Sequence, residues 1–373
     1  MNLFYVSSII ELATANKISI IYLTMITTLF QQLPSIYRHL LPNIFNQDIH
    51  IEAYADCSNC NMCQPSDIVS DQRFFSPKTK CCTFKPIVPN YLVGGILAEM
   101  PHQTKIHDYV DSGQKITPLG YFPSTDELQH YNRIIPDQFG IDESAMCELL
   151  VDGNCSIWQH RNAICSTYFC HYFKGHHGKQ FWEEVRDFLQ MIEELLSNYC
   201  CEQLSISPNY LTSATTNFYV NVQSALKNMS PHLALSDQDI WGPWANKRRD
   251  FFLECHRICN ALSPIDIEQL SPIQYQNKLS KLQDSYSQMM SPTLPESLIF
   301  NPKCNVIDFD SEQTFFYVDR LIKLPAVLKT ILPLFDGKTT AKTVRQLASD
   351  QFGVDMDTAY LIHLYEQDIL VGV

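Results

Sequence analysis

Positive charge is what this sequence is short of. Its 373 residues carry 27 Lys and Arg against 40 Asp and Glu, a formal net charge of −13. Phosphate recognition needs a basic surface, so nucleic acid is not the expected partner. Docking on anionic lipid is disfavoured for the same reason. A membrane-spanning apolar run is also missing. The run Ile18 to Phe30 is too short for a bilayer and stops at Gln31, Gln32 and Pro34. As a signal peptide it lacks a basic leading region: Lys17 precedes it directly, but Glu11 lies upstream. It reads as a packed helix or a frayed extension, and Met25 offers a second start that would leave residues 1–24 outside the native protein. The phosphate loops GxGxxG and GxxxxGK(S/T), the G-x-S-x-G elbow and the H-E-x-x-H motif are absent, and no internal repeat is present. A cytoplasmic chain without membrane or nucleic-acid contacts is expected.

Cysteine is what the sequence has in excess. Nine of its fourteen cysteines form one interrupted series: Cys57, Cys60, Cys63, Cys81, Cys82, Cys147, Cys155, Cys165 and Cys170. The spacings are C-x2-C-x2-C, then CC, then C-x7-C-x9-C-x4-C. Disulfide frameworks suit small secreted domains, and this chain is neither small nor marked for export. Two thiolates separated by two residues converge on one ion as the backbone turns, so the series is read as metal-binding. Adjacent Cys81 and Cys82 do not easily ligate one ion together, so one of them is expected to be structural. Cys200, Cys201, Cys255, Cys259 and Cys304 sit in or beside apolar stretches and are assigned to packing. Cys255 and Cys259 would share one helix face, which gives only two ligands. His160, His171, His176 and His177 lie near the series and read as surface or packing residues rather than ligands.

The rest of the chain reads as mainly α, in the α+β class. Phe30 to Phe45 is an amphipathic helix interrupted by prolines, and Tyr91 to Met100 is a short apolar helix. Residues 101–140, rich in Pro, Gly, Asp and aromatics, read as loop and short strands. Asp152-Gly153 marks a hairpin turn within Cys147 to Ile157. Phe181 to Cys201 has apolar residues at helical spacing, and a second helical block runs from Thr215 to Leu282. Pro292 and Pro295 mark a linker. The expected organisation is an N-terminal extension (1–33), a cysteine-cluster metal-binding domain (34–205), a helical region (206–295) and a small C-terminal domain (300–373).

The stretch CELLVDGNCSIWQHRNAICSTYFC, Cys147 to Cys170, resembles the second signature of the YkgJ-like "CxxCxxCC" proteins, described as zinc- or iron-chelating domains. Arg161 stands where the family arginine stands, and Asn162 replaces the family proline. The CSNCNMC and CC elements are similar to the first half of that family's pattern, spread wider. The resemblance covers roughly Ala53 to Gly178 and implies a metal site, with no defined reaction attached.

Soft thiolates select zinc, copper(I) or iron–sulfur over hard cations. Zinc closes on four ligands, so eight or nine cysteines would suit two ions or one ion with spare thiols. C-x2-C-x2-C with a remote fourth cysteine is close to a ferredoxin run. Here the local fourth position is Asp67, so the fourth ligand would come from Cys81, Cys82 or the later cysteines. An iron–sulfur cluster or redox-active iron is the expected cofactor, with zinc as the alternative. Arg161, midway between Cys155 and Cys165, is expected to offset thiolate charge and brace the loop, because a guanidinium offers several donors in a fixed fork.

The C-terminal residues Leu321 to Val373 read as a helix up to Phe335 and a turn at Asp336-Gly337. A helix capped by Thr339 or Thr340 and ended by Gly353 follows, then a helix over Asp357 to Gln367, and a strand at Ile369 to Val371. The pattern resembles the winged-helix domains of PqqD-like peptide-recognition proteins, in which a peptide adds a strand to a sheet edge. Two functions follow as expectations. One is a metal-dependent or iron–sulfur redox component, of the maturation or modification type, with a peptide or protein on its C-terminal domain. The other is a structural-zinc interaction module without catalysis.

Overall fold

The computed structural model describes residues 9–14, 17–22, 26–50, 63, 75–100, 104–169, 172–207, 211, 236–308, 313–317 and 321–373. Cys57, Cys60, Cys170 and His171 lie outside these residues, as does the 215–235 part of the expected second helical block.

The chain is mainly helical, with several small sheets. Over Ile18 to Phe30, read as a packed helix or a frayed extension, the described residues up to Thr28 are extended and helix begins only at Leu29. Strands β1 (Ile9–Thr14) and β2 (Lys17–Tyr22) form an antiparallel hairpin, and β3 (Ile26–Thr28) follows. The β-branched residues Ile18, Ile20, Ile21, Ile26, Thr27 and Thr28 favour the pleated conformation. The amphipathic helix expected over Phe30 to Phe45 is reduced to α1 (Leu29–Gln32) and two single turns at Ser35–Tyr37 and Asn43–Asn46. Pro34 and Pro42, which remove backbone donors, stand immediately before those turns. Strand β4 (Asp48–His50) then pairs antiparallel with β3.

Strand β5 (Val88–Pro89) leads into α2 (Asn90–Glu99), as the apolar run predicts. Residues 101–140 hold more helix than expected. Helix α3 (Lys105–Ser112) precedes β6 (Ile116–Thr117) and β7 (Gly120–Tyr121), and α4 (Thr125–Gln138) follows. The overlooked signal is Ser124-x-x-Glu127, a capping box in which Ser124 Oγ accepts from Glu127 N and Glu127 accepts from Ser124 N. The expected hairpin forms as β8 (Leu150–Val151) and β9 (Asn154–Cys155), turned by Asp152 and Gly153 at φ 50° and 75°. Helix α5 (Ala163–Thr167) is one turn long, and α6 (Gly175–Gln203) is the longest helix among the described residues. The remaining helices of this part are α7 (Asp237–Trp241), α8 (Arg248–Asn260), α9 (Pro264–Leu270) and α10 (Pro272–Met290).

One buried cluster runs from Leu29 to Met289 and is centred on α2, α6, α8 and α10. Helix α6 turns Phe181, Val185, Phe188, Leu189, Ile192 and Leu196 inward. Helices α2 and α8 approach so closely that a Cβ at Gly94 would stand 1.9 Å from the Phe252 carbonyl oxygen, so only glycine fits there. No described helix is long and apolar enough to cross a membrane.

A second buried cluster joins residues 298–370. Its strands are β10 (Ser297–Phe300), β11 (Asn305–Asp308), β12 (Gln313–Tyr317) and β13 (Leu321–Pro325). Leu321 to Pro325 is therefore a strand, where a helix was expected up to Phe335; helix is confined to α11 (Leu328–Ile331) and one further turn. The antiparallel β11–β12–β13 meander supplies the partners that local periodicity could not reveal. Strand β14 (Asp336–Thr340) precedes α12 (Ala341–Phe352), which Thr340 caps and Gly353 ends as predicted. Strand β15 (Asp355–Met356), α13 (Thr358–Glu366) and β16 (Leu370–Gly372) complete the chain, with β10 between β14 and β16 in one sheet. Strand β15 also pairs in parallel with β2.

Candidate metal centre

Three separate segments meet around one cavity of about 170 Å³, and each brings cysteine. The turn ending at residue 83 brings Cys81 and Cys82, the β8–β9 hairpin with its approach brings Cys147 and Cys155, and α5 brings Cys165. Backbone hydrogen bonds hold the segments together. Cys147 N donates to Cys82 O at 2.7 Å, and Ser156 N donates to Leu149 O at 2.8 Å. Lys80 Nζ donates to Gly153 O at 3.3 Å and Lys85 Nζ to Met146 O at 2.8 Å, tying the first segment to the second. The chain just after Cys147 is fixed from behind: Glu148 accepts from Tyr109, Tyr121 and Lys115, and Lys115 also bonds Glu127.

The one-turn helix α5 is too short to stand by its own hydrogen bonds. Asn162 caps it, accepting from Cys165 N at 3.0 Å, and its amide donates to Ile87 O at 2.9 Å. Ala163 N, the first helical donor, is taken by the buried carboxyl of Glu193 on α6 at 2.7 Å. Arg161 lines the cavity. Its Nε donates to Trp158 O and its Nη1 to Cys165 O, both at 3.1 Å, and its guanidinium carbon stands 3.4 Å from the Trp158 ring centre.

Electrostatics couple the thiols of the cavity. Burial pushes the Cys147 thiol up to about 12, the Leu149 backbone opposes this, and Cys82 and Cys155 add to it. Burial likewise pushes Cys165 well up, reinforced by Cys147, Cys155 and Cys82 and opposed by Arg161. The hydrogen bond with Cys81 raises Cys82 first, followed by burial, while Lys80 and Arg161 pull it back. Cys82, Cys147, Cys155 and Cys165 thus act on one another's charge, and Cys81 is hydrogen-bonded to Cys82. Without a cation the Cys82, Cys147 and Cys165 thiols are protonated, and a soft cation that binds them displaces protons. Cys63 forms an isolated parallel bridge with Phe75. Phe75 packs edge-on against Phe139 at 5.6 Å, and Phe139 lines the cavity.

Among the described residues, no group of three or more His, Cys, Asp or Glu side chains stands ready to hold a metal ion. The thiols therefore surround the space rather than gather at one point in it. The described histidines of the neighbourhood are engaged elsewhere. His160 Nε2 lies 3.3 Å from Glu99, and His176 Nδ1 lies 3.2 Å from Asp368 beside the His177 ring. Cys200, Cys201, Cys255 and Cys259 are buried in the helical core, where Cys200 Sγ and Cys259 Sγ are 3.5 Å apart. Cys304 borders the second core. Sequence reasoning missed Glu193 and Glu148 as supports; both act across more than 25 residues, and no local pattern marks them.

No family model matches the chain, no curated protein is similar to it, and no solved structure matches it.

Proposed function

We propose that this is a metal-binding protein whose cysteine-lined cavity takes an iron–sulfur cluster or iron, with Cys82, Cys147, Cys155 and Cys165 as thiolate ligands. The observation that carries the reading is that four thiols from three chain segments face one cavity and act on one another's charge. Sulfur donors suit iron–sulfur or other soft centres and do not suit magnesium or calcium. The cavity itself favours a cluster. A lone zinc ion with four bonds of about 2.3 Å needs no space beyond its ligands, whereas a body of several irons and sulfides does. Arg161 offsets part of the negative charge that four thiolates would gather, and its bond to Cys165 O holds that loop in place. Cys81 is left to tune Cys82 by hydrogen bonding.

When bound, such a cluster supplies one-electron chemistry. The chain's own part is to hold the thiolates, shield them with Phe84, Phe139, Leu149 and Trp158, and keep Arg161 at their side. A thiol-lined cavity fits a reducing compartment. The C-terminal part, read as winged-helix-like, would take a peptide or protein. Strands β14 and β16 are the outer strands of its sheet, and strand addition uses such edges.

The test is anaerobic purification followed by iron, zinc and acid-labile sulfide analysis of the parent and of Cys82→Ser, Cys147→Ser and Cys165→Ser. Iron and sulfide in the parent, lost together in each variant, is the expected result. Zinc with no sulfide would favour the alternative reading, a closed structural-zinc module for protein interaction. Equal metal in all four proteins overturns the assignment.

A further inference from the structure

Helices α6 and α8 bring two thiols into contact inside the core. Cys200, Cys255 and Cys259 are each 0% exposed, and Cys200 Sγ stands 3.5 Å from Cys259 Sγ. The two are 59 residues apart, so only the packing of α6 on α8 sets them together. Cys200 Sγ also lies 3.6 Å from the carbonyl oxygen of Cys255, one turn before Cys259 on α8. The adjacent Cys201 is turned to other partners: its sulfur donates to Pro118 O at 3.3 Å and accepts from Asn90 Nδ2 at 3.6 Å. The Cys200-Cys201 pair is therefore divided, with Cys200 set against α8.

Sulfurs in contact can be joined. A disulfide bond is about 2.05 Å long, so these two must close by about 1.5 Å, and rotation about both Cα–Cβ bonds moves them. Cys255 and Cys259 leave α8 side by side in the same direction, which does not suit a bridge between them. Charge favours Cys200 as the reacting sulfur. Hydrogen bonds from Cys255 and then Cys259 pull its thiol below the ordinary range against burial, while burial, followed by the bond with Cys200, pushes Cys255 and Cys259 well up. The thiolate is the nucleophile. Burial selects the oxidant: a disulfide the size of glutathione cannot reach sulfurs with no exposed surface, whereas hydrogen peroxide is close to water in size and enters through brief local openings.

We infer that Cys200 and Cys259 are a peroxide-oxidisable pair whose disulfide staples α6 to α8. The Cys200 thiolate attacks one oxygen of hydrogen peroxide; the O–O bond breaks, a sulfenic acid forms, and hydroxide leaves to take up the Cys200 proton as water. The Cys259 sulfur then attacks the sulfenic sulfur; the S–O bond breaks, the S–S bond forms, and the hydroxyl leaves with the Cys259 proton as a second water. Two thiols lose two electrons and one peroxide gains them. In a reducing compartment such a bond is transient and records oxidation. The pair lies outside the proposed metal centre and reacts independently of it.

The test treats the full chain with hydrogen peroxide, quenches it in acid, alkylates the free thiols after unfolding and reads the linked peptides by mass. Cleavage after Arg257 separates Cys255 from Cys259, and fragmentation separates Cys200 from Cys201. The expected result is a Cys200–Cys259 link, lighter by two hydrogens, that persists in Cys255→Ala and is lost in Cys259→Ala. Oxidised glutathione at the same concentration should give on the order of tenfold less link, since it needs a larger opening. The oxidised parent should melt higher than the reduced parent, because the link restricts the unfolded chain, and Cys259→Ala should show no such rise. Cys200 and Cys259 recovered unlinked from the peroxide-treated parent overturn the pair, and this readout needs no variant to fold. A link from Cys200 to Cys255 overturns the choice of partner. Equal linking by oxidised glutathione overturns the selection by size.

Discussion

Replacing Arg161 by alanine tests the centre where charge and geometry meet. The guanidinium makes two hydrogen bonds, to the carbonyls of Trp158 and Cys165, and stacks on the Trp158 ring. Each bond from a charged donor is worth about 1.5–3 kcal/mol net, and the stacking about 0.5–2 kcal/mol. These values do not add, because all three act on the same loop and water can reach part of it. A loss of about 2 kcal/mol in metal retention is the working figure, equivalent to about a 30-fold weaker hold. Burial and the neighbouring thiols raise Cys165 while Arg161 lowers it, so its removal also makes the thiolate harder to form. Arg161→Lys keeps the charge and loses the fork and most of the stacking, so it should recover only part. The assay is a chelator challenge on anaerobically purified protein, with metal release followed over time. If Arg161→Ala holds its metal as well as the parent, the proposed role of the guanidinium is wrong.

The cysteines should divide by position. Cys82→Ser and Cys165→Ser should lower metal content and solubility together, since binding free energy is partly folding free energy, while Cys81→Ser keeps most of the metal and Cys304→Ser all of it; equal stoichiometry across the set would count against the grouping. Gly175 has φ 52°, and a Cβ there would stand 1.5 Å from Glu366 O, so Gly175→Ala should cost at least about 2 kcal/mol through overpacking. Limited proteolysis should then release the 298–373 part faster, and an unchanged digestion pattern would refute this contact. The same seam titrates. Burial pushes Glu366 up to about 7 against the pull of Lys174, so the folded chain keeps a proton that the unfolded chain releases near 4.5, and this contribution to stability fades as pH rises through that window. Burial, followed by neighbouring charge, lowers His50 and His177 from 6.5 to about 4, so their contributions grow as pH rises from 4 to 6.5. With two groups against one, the melting temperature should rise from pH 4.5 to 6.5, and more steeply in Glu366→Gln; an equal or shallower slope in that variant would show that Glu366 does not titrate there.

What the sequence determined by itself was local. Thr340 before an amphipathic stretch and Gly353 after it bound α12, Asp152-Gly153 turns the β8–β9 hairpin, and apolar spacing reports the buried face of α6. Each depends on residues within a few positions of one another, which is the range over which capping, turn preference and helical periodicity operate. The cysteine spacing pointed to a shared site in the same way, through residue type and short intervals. Tertiary structure decided the rest. It made strands of Lys17–Tyr22 and Leu321–Pro325, because pairing with β1 and β12 supplies hydrogen bonds that an apolar period cannot foretell. It also divided Cys81 from Cys82. The two are equivalent in sequence, yet the fold sets the Cys82 carbonyl to accept from Cys147 N and its thiol to raise Cys147 and Cys165. Glu193 was invisible for the same reason: a carboxyl on an apolar helix face gains its meaning from Tyr37 and Ala163, 156 and 30 residues away, and only folding sets them against it.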